Sequence, residues 1–393
     1  MTIFRKLIRS VILAFGVGLL MSGCGGGSSS PTSPTSGGQS SIIMSGNQVP
    51  VDVAQNPNFP NAVLINVPFV TVTLCDAIGT CENIDHVILD TGSVGLRVAA
   101  SAIAGLNLPA VAGAQPGQQI GECAGFASGV MWGSVRVGTV KIAGEAANNI
   151  GIEVFGDTNF APRPASCSGG LNISSAGQLY ANGVLGIGNT VEDRQAYYTC
   201  TASTCSPSTP ATSVTNPIAA FAVDNNGAIL SFGTAPVSGT ATGNLTFGLD
   251  TQPDNSLEGM IILPASATGG YFTASMNGTS YSMSFIDSGS TANFLSLATP
   301  PPTDSSGYFQ PASPDVFDVS IPGATSQGYS TSVTIAALHP TPQQSAYAFA
   351  GAPSGWSQTL DLGLPFFFGR RVAMSIVGRP NAHSSENMYA VDH

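Results

Sequence analysis

Two tetrapeptides in this chain could do chemistry together. Asp90-Thr91-Gly92-Ser93 and Asp287-Ser288-Gly289-Ser290 share one pattern and stand 197 residues apart. One such turn says little, because aspartate and glycine are ordinary turn residues. Two in matching contexts suggest paired acid chemistry. Carboxyl groups held within hydrogen-bond distance cannot both ionise cheaply, so one pKa rises and a proton is shared. One member can then accept a proton while the other donates one. Glycine suits the third position because a missing Cβ lets the backbone turn sharply and approach closely.

The elements that must position these turns are also repeated. Val70-Thr71-Val72-Thr73-Leu74 leads through a cysteine-closed turn to Ile84-Asp85-His86-Val87-Ile88-Leu89, which ends at Asp90. Tyr271-Phe272-Thr273-Ala274-Ser275-Met276 leads through Asn277-Gly278 to Tyr281-Ser282-Met283-Ser284-Phe285-Ile286, which ends at Asp287. Each copy reads as a strand, a hairpin turn and a second strand with an apolar approach to the aspartate. Asn-Gly is a strong two-residue hairpin signal. A spacing of about half the 393 residues fits a duplicated, two-lobed chain in which each lobe supplies one carboxylate.

With these turns, three further segments resemble the pepsin-like aspartic proteases. Asn182-Gly183-Val184-Leu185-Gly186-Ile187-Gly188 resembles the family's apolar-apolar-Gly element, and Asp361-Leu362-Gly363-Leu364-Pro365-Phe366-Phe367-Phe368-Gly369 its second copy, followed by a strand over Val372–Val377. Phe221 to Gly233 resembles the hairpin that opens the family's C-terminal lobe. The matches run in family order from Val63 onward and look closest to bacterial lipoprotein-like members of uncharacterised function. The resemblance implies an all-β, bilobal pepsin-like fold with two β-barrel-like lobes, a cleft between them and few short helices. The lobes would span 46–215 and 216–393. It makes Asp90 and Asp287 catalytic, with Thr91 and Ser93 supporting the first and Ser288 and Ser290 the second, and Gly92 and Gly289 turning the loops. A water activated between the aspartates would attack a peptide carbonyl. No cofactor or metal is implied. The competing fold is an unrelated β-sandwich adhesin or carbohydrate module with coincidental turns.

Some residues depart from that pattern. The family's flap is a hairpin bearing a tyrosine, and aligning Gly129, Gly133 and Thr139–Ile142 with it puts Phe126 there, unless the alignment slips and Trp132 serves. Arg97 stands where the family has a flap-contacting tryptophan. A cation near the dyad would favour the charged carboxylates, whereas the plainer expectation pairs Arg97 with a surface acid, Asp85 or Glu122. Asp361 occupies an apolar position of the second Gly element. The run Phe366-Phe367-Phe368 reads as core strand.

Composition narrows the class of protein. Apolar residues make up 43 % and charged residues 8 %, against a usual charged share of roughly 25 %. With 47 Gly and 27 Pro spread through the chain, many short strands and turns are expected. Formal charge is −11, which argues against nucleic acid or an anionic membrane surface as main partner.

The first 23 residues read as an export signal. Arg5, Lys6 and Arg9 precede an apolar run over Val11–Met21, too short to cross a bilayer, where about 20 residues are needed. Leu20-Met21-Ser22-Gly23-Cys24 resembles the lipobox of bacterial lipoproteins. Cys24 would then be acylated, with Gly25 favouring the outer membrane; a plain signal peptide is the alternative. A Gly/Ser/Pro-rich stretch over 24–45 reads as a flexible tether. The other cysteines suit an oxidising compartment. Proximity pairs Cys75 with Cys81 and Cys200 with Cys205, which leaves Cys123 to Cys167. Scattered histidines and the lack of a C-x2-C pair make a zinc site a poor alternative.

Two functions follow. One is a lipid-anchored aspartic endopeptidase acting on peptide or protein substrates. The other is a weak or inactive pepsin-like lipoprotein that binds peptide or another ligand in its cleft, motivated by Phe126 and Arg97.

Overall fold

The structure, a computed structural model, describes residues 46–235, 239–379, 381, 383 and 387–392. The expected signal, tether and acylated Cys24 lie outside the described residues.

Strands dominate. The first half holds β1 (Gln48–Val53), β2 (Pro68–Cys75), β3 (Cys81–Asp90), β4 (Val94–Ala99), β5 (Gln119–Phe126), β6 (Gly129–Ile142), β7 (Glu145–Phe155), β8 (Leu171–Ile173), β9 (Gly183–Ile187), β10 (Ala196–Cys200) and β11 (Cys205–Ser208). The second holds β12 (Gly227–Phe232), β13 (Ala241–Phe247), β14 (Ile261–Pro264), β15 (Phe272–Met276), β16 (Thr279–Ile286), β17 (Asn293–Leu295), β18 (Asp315–Ile321), β19 (Tyr329–Ile335), β20 (Gly351–Pro353), β21 (Leu360–Leu362), β22 (Arg371–Ser375) and β23 (Met388–Val391).

The hairpin that delivers each aspartate carries the same defect. Ile84 and Val87 both face the core although three residues apart, which a period of two forbids. The ladder restores the register with a bulge: Val70 pairs with Val87 and Val72 with Ile84, so two residues oppose one. In the second half Phe272 pairs with Ser284 and Ala274 with Tyr281. Tyr281 and Ser284 are likewise both buried. The bulges sit six and three residues before each aspartate, so the duplication extends to an irregularity. Asn277 and Gly278 both take positive φ, at 48° and 79°, as the turn that matches strand twist requires.

Each aspartate loop is then pinned by a threaded strand. β3 and β4 follow one another in the chain but are not paired; β9 lies between them, parallel to β3 and antiparallel to β4, and β7 runs parallel to β4. In the second half β21 lies between β16 and β17, parallel to one and antiparallel to the other, and β20 runs parallel to β17. This repeated threading is the arrangement implied by the resemblance to the pepsin-like proteases.

The halves are joined by backbone and by core. β1, from the N-terminal half, pairs antiparallel with β13 from Gln48↔Thr246 to Val53↔Ala241. One sheet therefore continues from β11 through β1 into β13, β12, β22, β23 and β14. Leu89 and Leu185 share a contiguous apolar cluster with Ile286, Leu362 and Phe367. Burial of such side chains contributes about 1.5–3 kcal/mol each, so the two aspartate loops rest on a common floor.

Phe366–Phe368 is not a strand. Leu364–Phe367 forms one turn of helix with Pro365 near its start. Proline supplies no ladder N–H but fits a first helical turn. The three rings are buried as expected. Cys75–Cys81, Cys123–Cys167 and Cys200–Cys205 are bonded. No helix among the described residues is long and apolar enough to cross a membrane.

Candidate active site

The two aspartate loops meet tip to tip, held by reciprocal hydrogen bonds between buried residues. The Thr91 N–H donates to Ser288 Oγ at 3.1 Å and the Ser288 N–H to Thr91 Oγ1 at 2.8 Å. Each hydroxyl then donates onward into the opposite strand, Thr91 to the Ile286 carbonyl at 3.3 Å and Ser288 to the Leu89 carbonyl at 2.8 Å. These side chains were expected to brace their own aspartates; instead they tie one lobe to the other.

The glycines are demanded by the carboxyl of the opposite lobe. A Cβ on Gly92 would lie 2.6 Å from Asp287 Cγ, and one on Gly289 would lie 2.5 Å from Asp90 Oδ1. Neither fits without displacing a carboxyl. Each glycine N–H also donates to its own aspartate, Gly92 to Asp90 Oδ1 and Gly289 to Asp287 Oδ1, both at 2.8 Å. Asp90 and Asp287 are thus fixed face to face within hydrogen-bond reach.

The environment raises the proton affinity of Asp287. By exposed surface Asp287 is only half-buried, yet burial among dense neighbours, then the charge of Asp90 and a hydrogen bond to it, push its pKa well above the ordinary value. The Gly289 N–H and the Ser290 hydroxyl oppose that shift but do not cancel it. Ser290 Oγ lies 2.9 Å from Asp287 Oδ2, as expected of a supporting residue. Ser93, its counterpart, does not support Asp90: among the described residues its buried hydroxyl has no hydrogen-bond partner.

Arg97 is not at the dyad. Its guanidinium is wholly buried against Glu122 at 2.5 Å, Asp193 at 2.6 Å and Glu153 at 3.2 Å. Glu122 had been expected as a partner, but as a surface acid; Asp85 instead contacts His86 and Asn182. Three acids around one cation leave excess negative charge in a dry site. Burial alone would lower the Arg97 pKa, but the carboxylates, Glu122 foremost, raise it above its ordinary value. Burial pushes Glu122 well up and Glu153 to about 7, against the pull of Arg97. Tyr197 closes the cluster by donating to Asp193 at 2.6 Å.

Phe126 ends β5 at the tip of a hairpin with β6, opposite Gly129. Its ring stands 5.6 Å from the Arg97 guanidinium, a cation–π contact. Trp132 does not line the cleft as a flap residue. It is buried beside Phe160 and Tyr198, and its indole N–H donates to the Ala161 carbonyl. The Cys123–Cys167 disulfide packs in the same cluster.

Sequence reading missed Glu153, Asp193, Tyr197 and Tyr389. Register places Glu153 opposite Arg97 on parallel strands, which no local pattern announces. Tyr389, on the last strand, is buried close to Asp287 and to the backbone of Ile286. Among the described residues no group of three or more His, Cys, Asp or Glu is arranged to hold a metal ion.

Comparison with known proteins sets this geometry in context. No curated protein matches the chain. Among solved structures, the crystal structure of aspartic proteinase from Irpex lacteus is similar at 14% sequence identity, over 88% of this chain and 96% of that chain, with a TM-score of 0.48. Residues 44–391 match the family model described as "Protein of unknown function (DUF3443)", a match that takes in both aspartate loops, both threaded strands and the buried cluster around Arg97, and the chain belongs to that family.

Proposed function

We propose that this chain is an aspartic endopeptidase that hydrolyses peptide bonds in the cleft between its lobes. The observation that carries the reading is the face-to-face pair, in which each carboxyl occupies the space that a Cβ on the opposite glycine would need. Asp287, with its raised pKa, is the acid, and Asp90 is the base. Asp90 takes a proton from water, the oxygen bonds to the peptide carbonyl carbon, and Asp287 gives its proton to the carbonyl oxygen. Collapse of that intermediate breaks the C–N bond as Asp90 passes its proton to the nitrogen and one hydroxyl of the intermediate gives its hydrogen to the ionised Asp287.

Substrate would be an extended peptide or protein segment. Acylation at Cys24 and residence at the outer membrane are proposed from the sequence signals alone, with the tether holding the lobes away from the bilayer. The binding-only reading retains one motive, the hydroxyl-free ring of Phe126. Its other motive is weakened, because the positive charge of Arg97 is spent on its own carboxylates.

The test is incubation of the purified chain with a diverse peptide pool between about pH 3 and 7, bracketing titration of the pair, with products read by mass spectrometry. Cleavage lost in Asp287→Asn supports the enzyme. Silence of the folded, disulfide-bonded wild type at every pH overturns it in favour of the binder.

A further inference from the structure

Ser290 has one hydroxyl hydrogen and two carboxyl neighbours. Its Oγ lies 2.9 Å from Asp287 Oδ2 and 2.6 Å from Asp361 Oδ2. Were both carboxyls ionised, one of these contacts would be oxygen against oxygen with no hydrogen between them. Both become hydrogen bonds only when one carboxyl is protonated and donates to Ser290.

Asp361 is the better holder of that proton. It is 7 % exposed, and among the described residues its Oδ1 has no hydrogen-bond partner. Among the described residues it makes no ion pair. The titratable groups bearing on it are acids: Asp287 across the β16–β21 pairing and Asp90 from the opposite loop, with the Tyr389 hydroxyl close by. An ionised Asp361 would be an unpaired charge among like charges. Burial first, then Asp287, pushes its pKa well above the ordinary range.

The duplication supplies an internal control. Phe285 pairs with Asp361 as Ile88 pairs with Val184, so Val184 is the counterpart of Asp361, and Ser93 that of Ser290. With valine at that place, the Ser93 hydroxyl has no partner among the described residues. With aspartate there, Ser290 bridges two acids. The carboxyl is therefore an addition to one lobe and no requirement of the threaded strand.

We propose that Asp361 is a third acid of the site, a positioning residue that shares protons with Asp287 through the Ser290 hydroxyl. When Asp287 has given up its proton, the Asp361 O–H bond breaks as Ser290 Oγ accepts its hydrogen, and the Ser290 O–H bond breaks as its own hydrogen passes to Asp287 Oδ2. The net change is a carboxylate at Asp361 and a carboxylic acid at Asp287. Asp287 is thereby reprotonated from the protein side, away from the cleft. Only that catalytic consequence rests on the endopeptidase reading; the shared titration does not.

The test is carbon-13 NMR titration of aspartate carboxyls in the full chain, for wild type, Asp361→Asn and Asp287→Asn. In the wild type, Asp287 and Asp361 are expected to titrate together in two steps. In Asp287→Asn, Asp361 should titrate at lower pH than its upper wild-type step, and in Asp361→Asn, Asp287 should lose the step it shares with Asp361 while keeping its coupling to Asp90. The proposal is overturned if Asp361 titrates in the ordinary aspartate range, or if each carboxyl keeps its wild-type curve when the other is removed. If Asp361→Asn does not fold, Asp287→Asn alone reads the coupling, because linkage is reciprocal. Absence of peptide cleavage in a wild type with coupled titration counts against the endopeptidase and leaves this proposal standing.

Discussion

Thr91 and Ser288 exchange hydrogen bonds across the lobe boundary, each backbone N–H donating to the hydroxyl of the other. The symmetry of this exchange makes the two loops one mechanical unit. Thr91→Ala and Ser288→Ala each leave a buried N–H unsatisfied, at about 1–3 kcal/mol. In urea unfolding, the double variant should cost measurably less than the sum of the singles, because losing either hydrogen bond already loosens the loop that presents the other. Thr91→Ser should be close to wild type. Strict additivity would show that the exchange does not join the loops.

The dyad should dominate turnover while weakening the fold at neutral pH. Loss of either aspartate should reduce peptide cleavage by at least about 10²–10⁴-fold. Asp287 has a raised pKa in the folded state, so its contribution to stability is present below the ordinary value and is lost as pH rises through the folded value. Asp287→Asn should therefore melt higher than wild type at pH 7, with the difference closing near pH 3. A thermal scan across pH checks this, and a variant less stable than wild type at pH 7 would contradict it.

Gly92→Ala separates geometry from folding. Its Cβ would meet Asp287 at 2.6–2.7 Å, so the carboxyls must part. Activity should fall by orders of magnitude with a modest change in melting temperature, because Gly92 itself is exposed. Full activity in the alanine variant would mean that the face-to-face arrangement is not needed.

The cluster around Arg97 predicts a second pH dependence. Glu153 titrates at about 7 in the folded protein, and Glu122 is raised with it. Stability should then decline as pH rises from about 5 to about 8, and Glu153→Gln should flatten that slope in urea titrations. Arg97→Met should cost about 3–5 kcal/mol at pH 8, where acids are left buried without their cation. The cost should shrink at pH 5, where they are protonated.

The duplicated Asp-x-Gly-Ser turns, the hairpins behind them and two apolar-Gly segments in order are local signals. Through the family they resemble, the sequence alone made the all-β class, the two lobes and the candidate pair of carboxyls legible. Close sequence spacing likewise made Cys75–Cys81 and Cys200–Cys205 legible. Long-range register decided the rest. Arg97 could be read as a cation near the dyad or as half of an ion pair; pairing β4 with β7 set Glu153 beside it, and burial raised the pKa of Glu153 and of Glu122. Trp132 could serve a flap until packing gave its indole N–H to Ala161. Asp361 looked like an isolated misfit in an apolar strand. Threading β21 beside β16 put it one hydroxyl away from Asp287, a relation between residues 74 positions apart that only the folded chain creates.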